Sequence, residues 1–381
     1  MKKSLPIYAL TTAMMALANP PTVYAEEIEI SGYFSSIGAY NDNKDDIDYY
    51  NNTATKNVRF DGPDSRIGVQ FSAAINPKMN FTTVLEARGG SQSGESTFTP
   101  TWAYAGYRVT PGLEVRMGKV KLPSFMISDY SEVGYAYPWI RPPEEVYSTN
   151  PMKALAGIDL MYSTNFGSWN FLFQLYNGSN TNTGNTPANV ADLDPNDPIE
   201  KDTTFTFITH HMTGFNTSIG NNIFNFRIGY FETKVDVPSF GYENVFGSFG
   251  GIGFNLDWAN IVIYSEYIMR DTGEELKYAF PDQEAHYTTL GYRIGKFLPH
   301  ITYAVIDKGK DDAIVALKQS SIKAGLRFDL EDSAALKFEV NQVTTDKDAQ
   351  DFSNDSEYGY GLFESPTEKA TIYSLGIDVI F

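Results

Sequence analysis

The residues in this sequence with the capacity for chemistry are charged side chains that interrupt apolar runs at alternate positions. Arg66 precedes Ile67, Val69 and Phe71, Arg88 closes the stretch from Met79, and Arg108 and Arg116 flank Thr110-Pro111-Gly112. A guanidinium keeps its charge at any relevant pH and grips carboxylate or phosphate through a planar fork. On extended chain, where side chains alternate between faces, these four fall on one face of four consecutive segments and form a permanent positive patch. The same parity adds Arg227, Arg270, Arg293, Lys323, Arg327 and Lys337, set against Glu86, Glu114, Asp159, Glu266, Glu339 and Asp378. Basic residues outnumber acidic ones on that face, although the whole chain carries a net charge of −18. The excess acid therefore belongs to the connections.

Other chemistry finds less support. Among four histidines, His210 and His211 are adjacent, so on a regular strand they point to opposite faces and cannot act together. Either one with Ser218 forms at most a dyad without a third group to orient it. The acidic runs Asp42, Asp45, Asp46 and Asp48, then Asp192, Asp194 and Asp197, then Asp346, Asp348, Asp351, Asp355 and Glu357, are rich in oxygen ligands for Ca²⁺ or Mg²⁺. None has the spacing of a calcium-binding hand loop, and solvated negative loops account for them. Gly250-Gly251-Ile252-Gly253 lies inside a strand pattern with no helix behind it, which indicates close backbone approach rather than a phosphate cradle. No cofactor or metal is expected. The acidic charge balance also excludes nucleic acid, whose phosphates demand a basic footprint.

These residues must be held by extended segments. The alternation is sharpest from Ser65 to Ile75, where Ile67, Val69, Phe71, Ala73 and Ile75 share one face and Arg66, Gly68, Gln70 and Ser72 the other. The same test gives strands at Ile28 to Ala39, Met79 to Arg88, Ala103 to Val109, Leu113 to Val120, Ile158 to Thr164, Trp169 to Tyr176, Thr203 to Phe215 and Ile223 to Thr233. Further strands run at Phe246 to Leu256, Ile261 to Arg270, Tyr287 to Ile294, Leu298 to Ile306, Ile322 to Asp329, Leu336 to Val343 and Thr371 to Phe381, about 16 altogether.

Residues 1–25 read as a cleaved export signal: basic Lys2 and Lys3, an apolar run from Leu5 to Ala18, and a small-residue site at Val23-Tyr24-Ala25. That run is shorter than the roughly 20 residues a spanning helix needs. The mature chain, 26–381, has no cysteine and so cannot rely on disulfides. It is rich in aromatic residues, 14% of the sequence, yet offers no helical span. In lipid every backbone polar group must be satisfied internally, so such a chain crosses a bilayer only as a closed antiparallel β-barrel.

Tight connections (76–78, 110–112, 165–167, 257–260, 295–296, 330–333) alternate with long ones (41–64, 121–156, 177–202, 271–284, 308–319, 345–370). Short periplasmic turns and long external loops produce this rhythm. The stretch Lys121 to Ala156 is the longest and least polar, with Phe125, Met126, Tyr130, Tyr135, Tyr137, Trp139 and Tyr147 stiffened by Pro138, Pro142 and Pro143. It is expected to fold back into the barrel. There Asp129, Glu132, Glu144 and Glu145, with Arg141 beside them, would oppose the wall arginines and set a transverse field across the narrowest ring.

The run Trp102-Ala103-Tyr104-Ala105-Gly106-Tyr107-Arg108, then Arg116-Met117-Gly118-Lys119, Pro123, Ser128-Asp129-Tyr130, Val133-Gly134-Tyr135 and Arg141-Pro142-Pro143 resembles a gammaproteobacterial subgroup of the Gram-negative general porins. The proline-rich tail of the loop departs from the best-known enteric members. The resemblance implies sixteen strands, a homotrimer, and a third external loop that narrows the pore opposite an arginine cluster. The final strand, with Tyr373, Leu375, Ile377, Val379 and Phe381 on one face, resembles the C-terminal signature read by the family's barrel assembly machinery. The expectation is a water-filled outer-membrane channel for passive diffusion of ions and small hydrophilic solutes, in contact with membrane lipid and lipopolysaccharide. A substrate-selective porin, for example for anions, stays open; an outer-membrane enzyme, an adhesin or a soluble exported β-protein is the more distant alternative.

Overall fold

The computed structural model describes residues 28–43, 48–50, 53–90, 98–185, 204–273, 276, 280–309, 318–346, 362–363 and 367–381. The expected export signal (1–25), the acidic runs 192–197 and 348–357, and Asp45 and Asp46 lie outside them. Sixteen strands make up most of the described chain. They are β1 (Ile28–Asp42), β2 (Arg66–Asn76), β3 (Met79–Arg88), β4 (Phe98–Thr110), β5 (Leu113–Lys121), β6 (Ala154–Phe166), β7 (Trp169–Asn185) and β8 (Thr204–Gly220). The second half contains β9 (Phe224–Val237), β10 (Tyr242–Trp258), β11 (Ile261–Thr272), β12 (Gln283–Tyr292), β13 (Phe297–Lys308), β14 (Gln319–Glu331), β15 (Ala334–Thr345) and β16 (Lys369–Ile380).

Each strand pairs antiparallel with its sequence neighbours, and β1 also pairs with β16, so the sheet closes on itself. Closure removes both edges and satisfies the ladder hydrogen bonds throughout. No helix among the described residues is long and apolar enough to cross a membrane. The expected fold is therefore the observed one. Alternation places Phe171, Phe173 and Leu175 on the exposed outer surface while Gln174 and Tyr176 are buried inside. On β16 Tyr373 and Leu375 are exposed, as is Phe381 just beyond it, whereas Ser374 and Asp378 are buried.

Turn chemistry fixes the short end. The Asn76 side chain accepts hydrogen bonds from the Lys78 and Met79 amides (2.9 and 3.0 Å), and Asn221 does the same for Ile223 and Phe224 (2.8 and 2.9 Å). Gly112 takes φ +86° between β4 and β5, a conformation a side chain would strain.

Several strands outrun their sequence signal. β7 continues to Asn185, well past Tyr176, because beyond the lipid belt its outward positions carry Asn177 and Ser179. Where no hydrocarbon demands an apolar outer face, the period-2 pattern fades although the pairing goes on.

Bulges overturn one expectation. The β8–β9 register shifts between His210 and Thr213, and His211 adopts φ +51°. Thr209 and Met212 are buried inward, and the extra residue leaves both His210 and His211 on the outer side. The histidines are thus not on opposite faces. His210 contacts Asp236 at 2.8 Å, whereas Ser218 lies farther down β8 opposite lumen-facing Arg227, so the structure does not bring the suggested dyad together.

Candidate functional site

The connection from β5 to β6, residues 122–153, turns inward and crosses the barrel interior. It contains only single helical turns (Ser128–Tyr130, Gly134–Ala136, Glu144–Tyr147), so most of its carbonyls have no partner of their own. Burying such groups without partners is costly, and the wall supplies them. Arg227 donates to the carbonyls of Pro123 and Ser124, and Arg270 to that of Thr149 at 2.7 Å. Lys323 donates to Arg141 O at 3.0 Å, and Arg327 to Tyr135 O and Tyr137 O at 2.5 and 3.1 Å. Lys337 donates to Gly134 O and Trp139 O at 2.6 and 2.7 Å, with Asp378 neutralising it at 2.9 Å. The cations of β9, β11, β14 and β15 thus act as clamps on the loop. Sequence parity put them on the correct face, but nothing local revealed partners up to two hundred positions away.

Apolar and hydroxylic contacts complete the anchorage. Phe125, Ile127, Trp139 and Val146 join wall residues Phe207, Phe231, Phe249 and Tyr287 in one buried cluster. The Trp139 indole N–H is shared between Thr289 Oγ1 on β12 and Thr302 Oγ1 on β13, both at 3.0 Å. Glu266 accepts from the Met126 amide at 2.7 Å and from Tyr147 OH at 3.0 Å, and Glu339 accepts from the Ile140 amide at 2.8 Å.

The opposite wall, β2 to β6, is organised differently. Arg66 and Arg88 occupy one register position of the β2–β3 ladder. Asp64 lies 3.8 Å from Arg66, and Glu86 accepts from Arg88 at 2.6 Å. Arg116 pairs with Asp159 across β5 and β6 and stacks over the Tyr104 ring, its charge centre 5.1 Å from the centroid. From Asp159 a polar chain runs through Gln174 and Asn216 to Arg227. Arg108 sits near the short-turn end, its amide bonded to Lys78 O and its side chain exposed, away from the other three. The four arginines share a side of the lumen but not a height.

The four loop carboxylates part company. Asp129 is exposed. Glu132 is buried and forms an ion pair with Lys121 at the end of β5, with Lys153 at 3.6 Å on its other oxygen. Burial alone would raise its pKa, but Lys121 and then Lys153 hold the carboxyl well below the usual carboxylate range. Glu144 lies 3.4 Å from Lys323, on the clamping side. Glu145 is fully buried and accepts from Gln319 at 2.8 Å; burial first and Glu144 second push its pKa up. Arg141 reaches the other way, pairing with Asp64 and donating to Ser374 Oγ and Thr53 O, both at 3.0 Å. Asp64, Lys121 and Lys153 are partners that parity reasoning missed, because all three lie at or beyond strand ends. Among the described residues, no group of three or more metal-binding side chains is arranged to hold an ion.

A cavity of about 320 Å³ opens between this wall, the loop and the β1–β2 connection. Arg66, Arg88, Lys121 and, from the loop, Arg141 and Lys153 line it.

The family model of the Gram-negative porins matches residues 8–348. No curated protein matches the chain. Solved structures with the same fold include OmpF of Salmonella typhi in complex with daunomycin, at 14% identity and TM-score 0.57, aligned over 93% of this chain and 97% of that one. An anion-selective porin from Comamonas acidovorans aligns at 13% identity and TM-score 0.56, over 93% and 99% of the two chains. OmpT of Vibrio cholerae, an outer-membrane protein folded in vitro and solved in its trimer form, aligns at 11% identity and TM-score 0.54, over 93% and 99%. Likeness at this identity reports the fold, while the family match spans most of the sequence. A water-facing inner wall inside a lipid-facing cylinder is what passive passage across a bilayer requires, and the chain accordingly belongs to the Gram-negative porins, diffusion channels of the outer membrane.

Proposed function

We propose that ions and small hydrophilic solutes cross between the inward loop 122–153 and the β2–β6 wall, with the loop as the constriction. The observation that carries this is the division of labour among lumen cations. Those on β9–β15 are bound to loop carbonyls, whereas Arg88 keeps 37% of its side chain exposed beside the cavity. Arg66, Arg88 and Arg116 then form the selective wall, and Glu132 tethers the loop against it. A bias toward anions is favoured by the two guanidiniums sharing one register position, and an anion-selective porin has the same fold.

In this reading the protein is a homotrimer with no catalytic activity, consistent with the trimer form of one structural relative. Residues 1–25 direct export, and Tyr373, Leu375, Ile377, Val379 and Phe381 present the apolar stripe that the barrel assembly machinery reads. The outer belt contacts membrane lipid and lipopolysaccharide. Planar-bilayer conductance of the purified protein tests the path: triplet conductance steps with a reversal potential shifted toward the anion equilibrium value are expected. A preparation that inserts but never conducts would refute it.

A further inference from the structure

The cations around the external cavity are not equally occupied. Arg141 is buried and spends its guanidinium on Asp64, Ser374 and Thr53. Lys121 is 10% exposed and bonded to Glu132. Arg88 and Lys153 differ, at 37% and 57% side-chain exposure. Each forms one ion pair, Arg88 with Glu86 and Lys153 with Glu132, and Glu132 is already committed to Lys121.

Both Arg88 and Lys153 line the 320 Å³ cavity and also an adjoining one of about 240 Å³. They therefore stand where the two chambers meet, on the external side of the loop. One comes from the rigid end of β3. The other comes from the last residue of the loop before β6, so the pair bridges wall and constriction.

We propose that Arg88 and Lys153 form a binding subsite for small dianionic solutes, dicarboxylates or phosphate esters, at the external entrance of the constriction. A guanidinium and an ammonium presented together suit two separate anionic groups, or one phosphate plus a neighbouring oxygen. Chloride brings one negative charge to two cations, whereas a dianion neutralises both. The chamber volume admits a solute of a few carbon atoms, and the partial exposure of both side chains leaves donors free to exchange water for ligand. Binding at an entrance raises local solute concentration and makes flux saturate with concentration. The subsite rests on the proposed diffusion path, since it lies on that path's external side.

The test is single-channel and macroscopic conductance of the full-length protein in planar bilayers, with sodium succinate, sodium phosphate and sodium chloride titrated separately. Chloride conductance should rise linearly, while succinate or phosphate conductance should saturate, and whichever saturates names the chemical class. The R88Q/K153Q double variant should weaken the half-saturating concentration by about tenfold or more. Lys296→Gln, which removes a cation from a turn at the opposite end, should leave saturation in place. Linear conductance with both dianions in the wild type would overturn the subsite while leaving the channel intact. Absence of chloride conductance would overturn the path itself. If the double variant fails to insert, the R88Q and K153Q single variants take its place, and a half-saturating concentration unchanged in both would overturn the subsite.

Discussion

Arg66 on β2 and Arg88 on β3 stand directly opposite each other in the ladder, two guanidiniums on the lumen face of adjacent strands. Like charges at paired positions destabilise a sheet unless carboxylates sit between or beside them, and here Asp64 and Glu86 do so from one side each. The proposed role in passage accounts for keeping this pair on the lumen face.

Neutralising Arg66, Arg88 and Arg116 together with glutamine should shift selectivity toward cations. Reversal potentials in a tenfold salt gradient read this directly. An unchanged potential would remove these side chains from the narrow part of the path.

The loop depends on Trp139 for its seat between β12 and β13. Trp139→Ala should cost about 3–5 kcal/mol of local packing and leave two buried hydroxyls with one partner fewer. Because the ladder itself is untouched, the barrel should still resist denaturation while conductance becomes larger and noisier. Calorimetry and single-channel traces would separate the two effects.

Glu132 gives the loop tether a definite pH dependence. Its folded pKa is depressed below the ordinary carboxylate value of about 4.3, so its stabilisation is complete above that value and lost only as pH falls through the lower, folded one. Open-channel conductance should therefore stay steady from neutral pH down to about pH 4. Glu132→Gln should produce at pH 7 the fluctuating channel that the wild type shows only in stronger acid.

Glu145 has the opposite sign. Burial and Glu144 raise its pKa, and its Oε2 atom has no hydrogen-bond partner, so holding it ionised costs stability increasingly as pH rises past the unfolded value. Glu145→Gln should be neutral in acid and stabilising at neutral and alkaline pH, visible as a higher thermal midpoint at pH values above the ordinary carboxylate range. A lower midpoint at pH 8 would show that the carboxylate contributes a bond glutamine cannot replace.

The barrel was legible because lipid imposes a rule on every second residue. Ile67, Val69 and Phe71 or Tyr373, Leu375 and Ile377 announce their strand from sequence alone, and all sixteen strands were found this way. The rule lapses above the lipid belt, which is why β7 and β10 run past their expected ends, and at bulges, where one inserted residue such as His211 turns a neighbour to the other face. The loop was legible only as a tendency. Its length and aromatic residues indicated an inward fold, but the landing points of Trp139, Glu144 and Glu145 are set by wall residues far along the chain. The sequence could show that Lys337 and Arg327 face inward; only the assembled cylinder shows that they hold carbonyls and not solutes.

The seam between β1 and β16 has a bearing on biogenesis. Gly32 and Phe381 exchange main-chain hydrogen bonds at 2.7 and 3.0 Å, and a methyl group on Gly32 would stand 2.4 Å from the Phe381 ring. The zipper thus has one final tooth, formed by Phe381 against Gly32. Until that contact forms, two raw margins stay open to any neighbouring chain, so a nascent molecule is vulnerable for as long as its ends are apart. Gly32→Val would prolong that window, yielding protein that reaches the periplasm and clumps there instead of maturing.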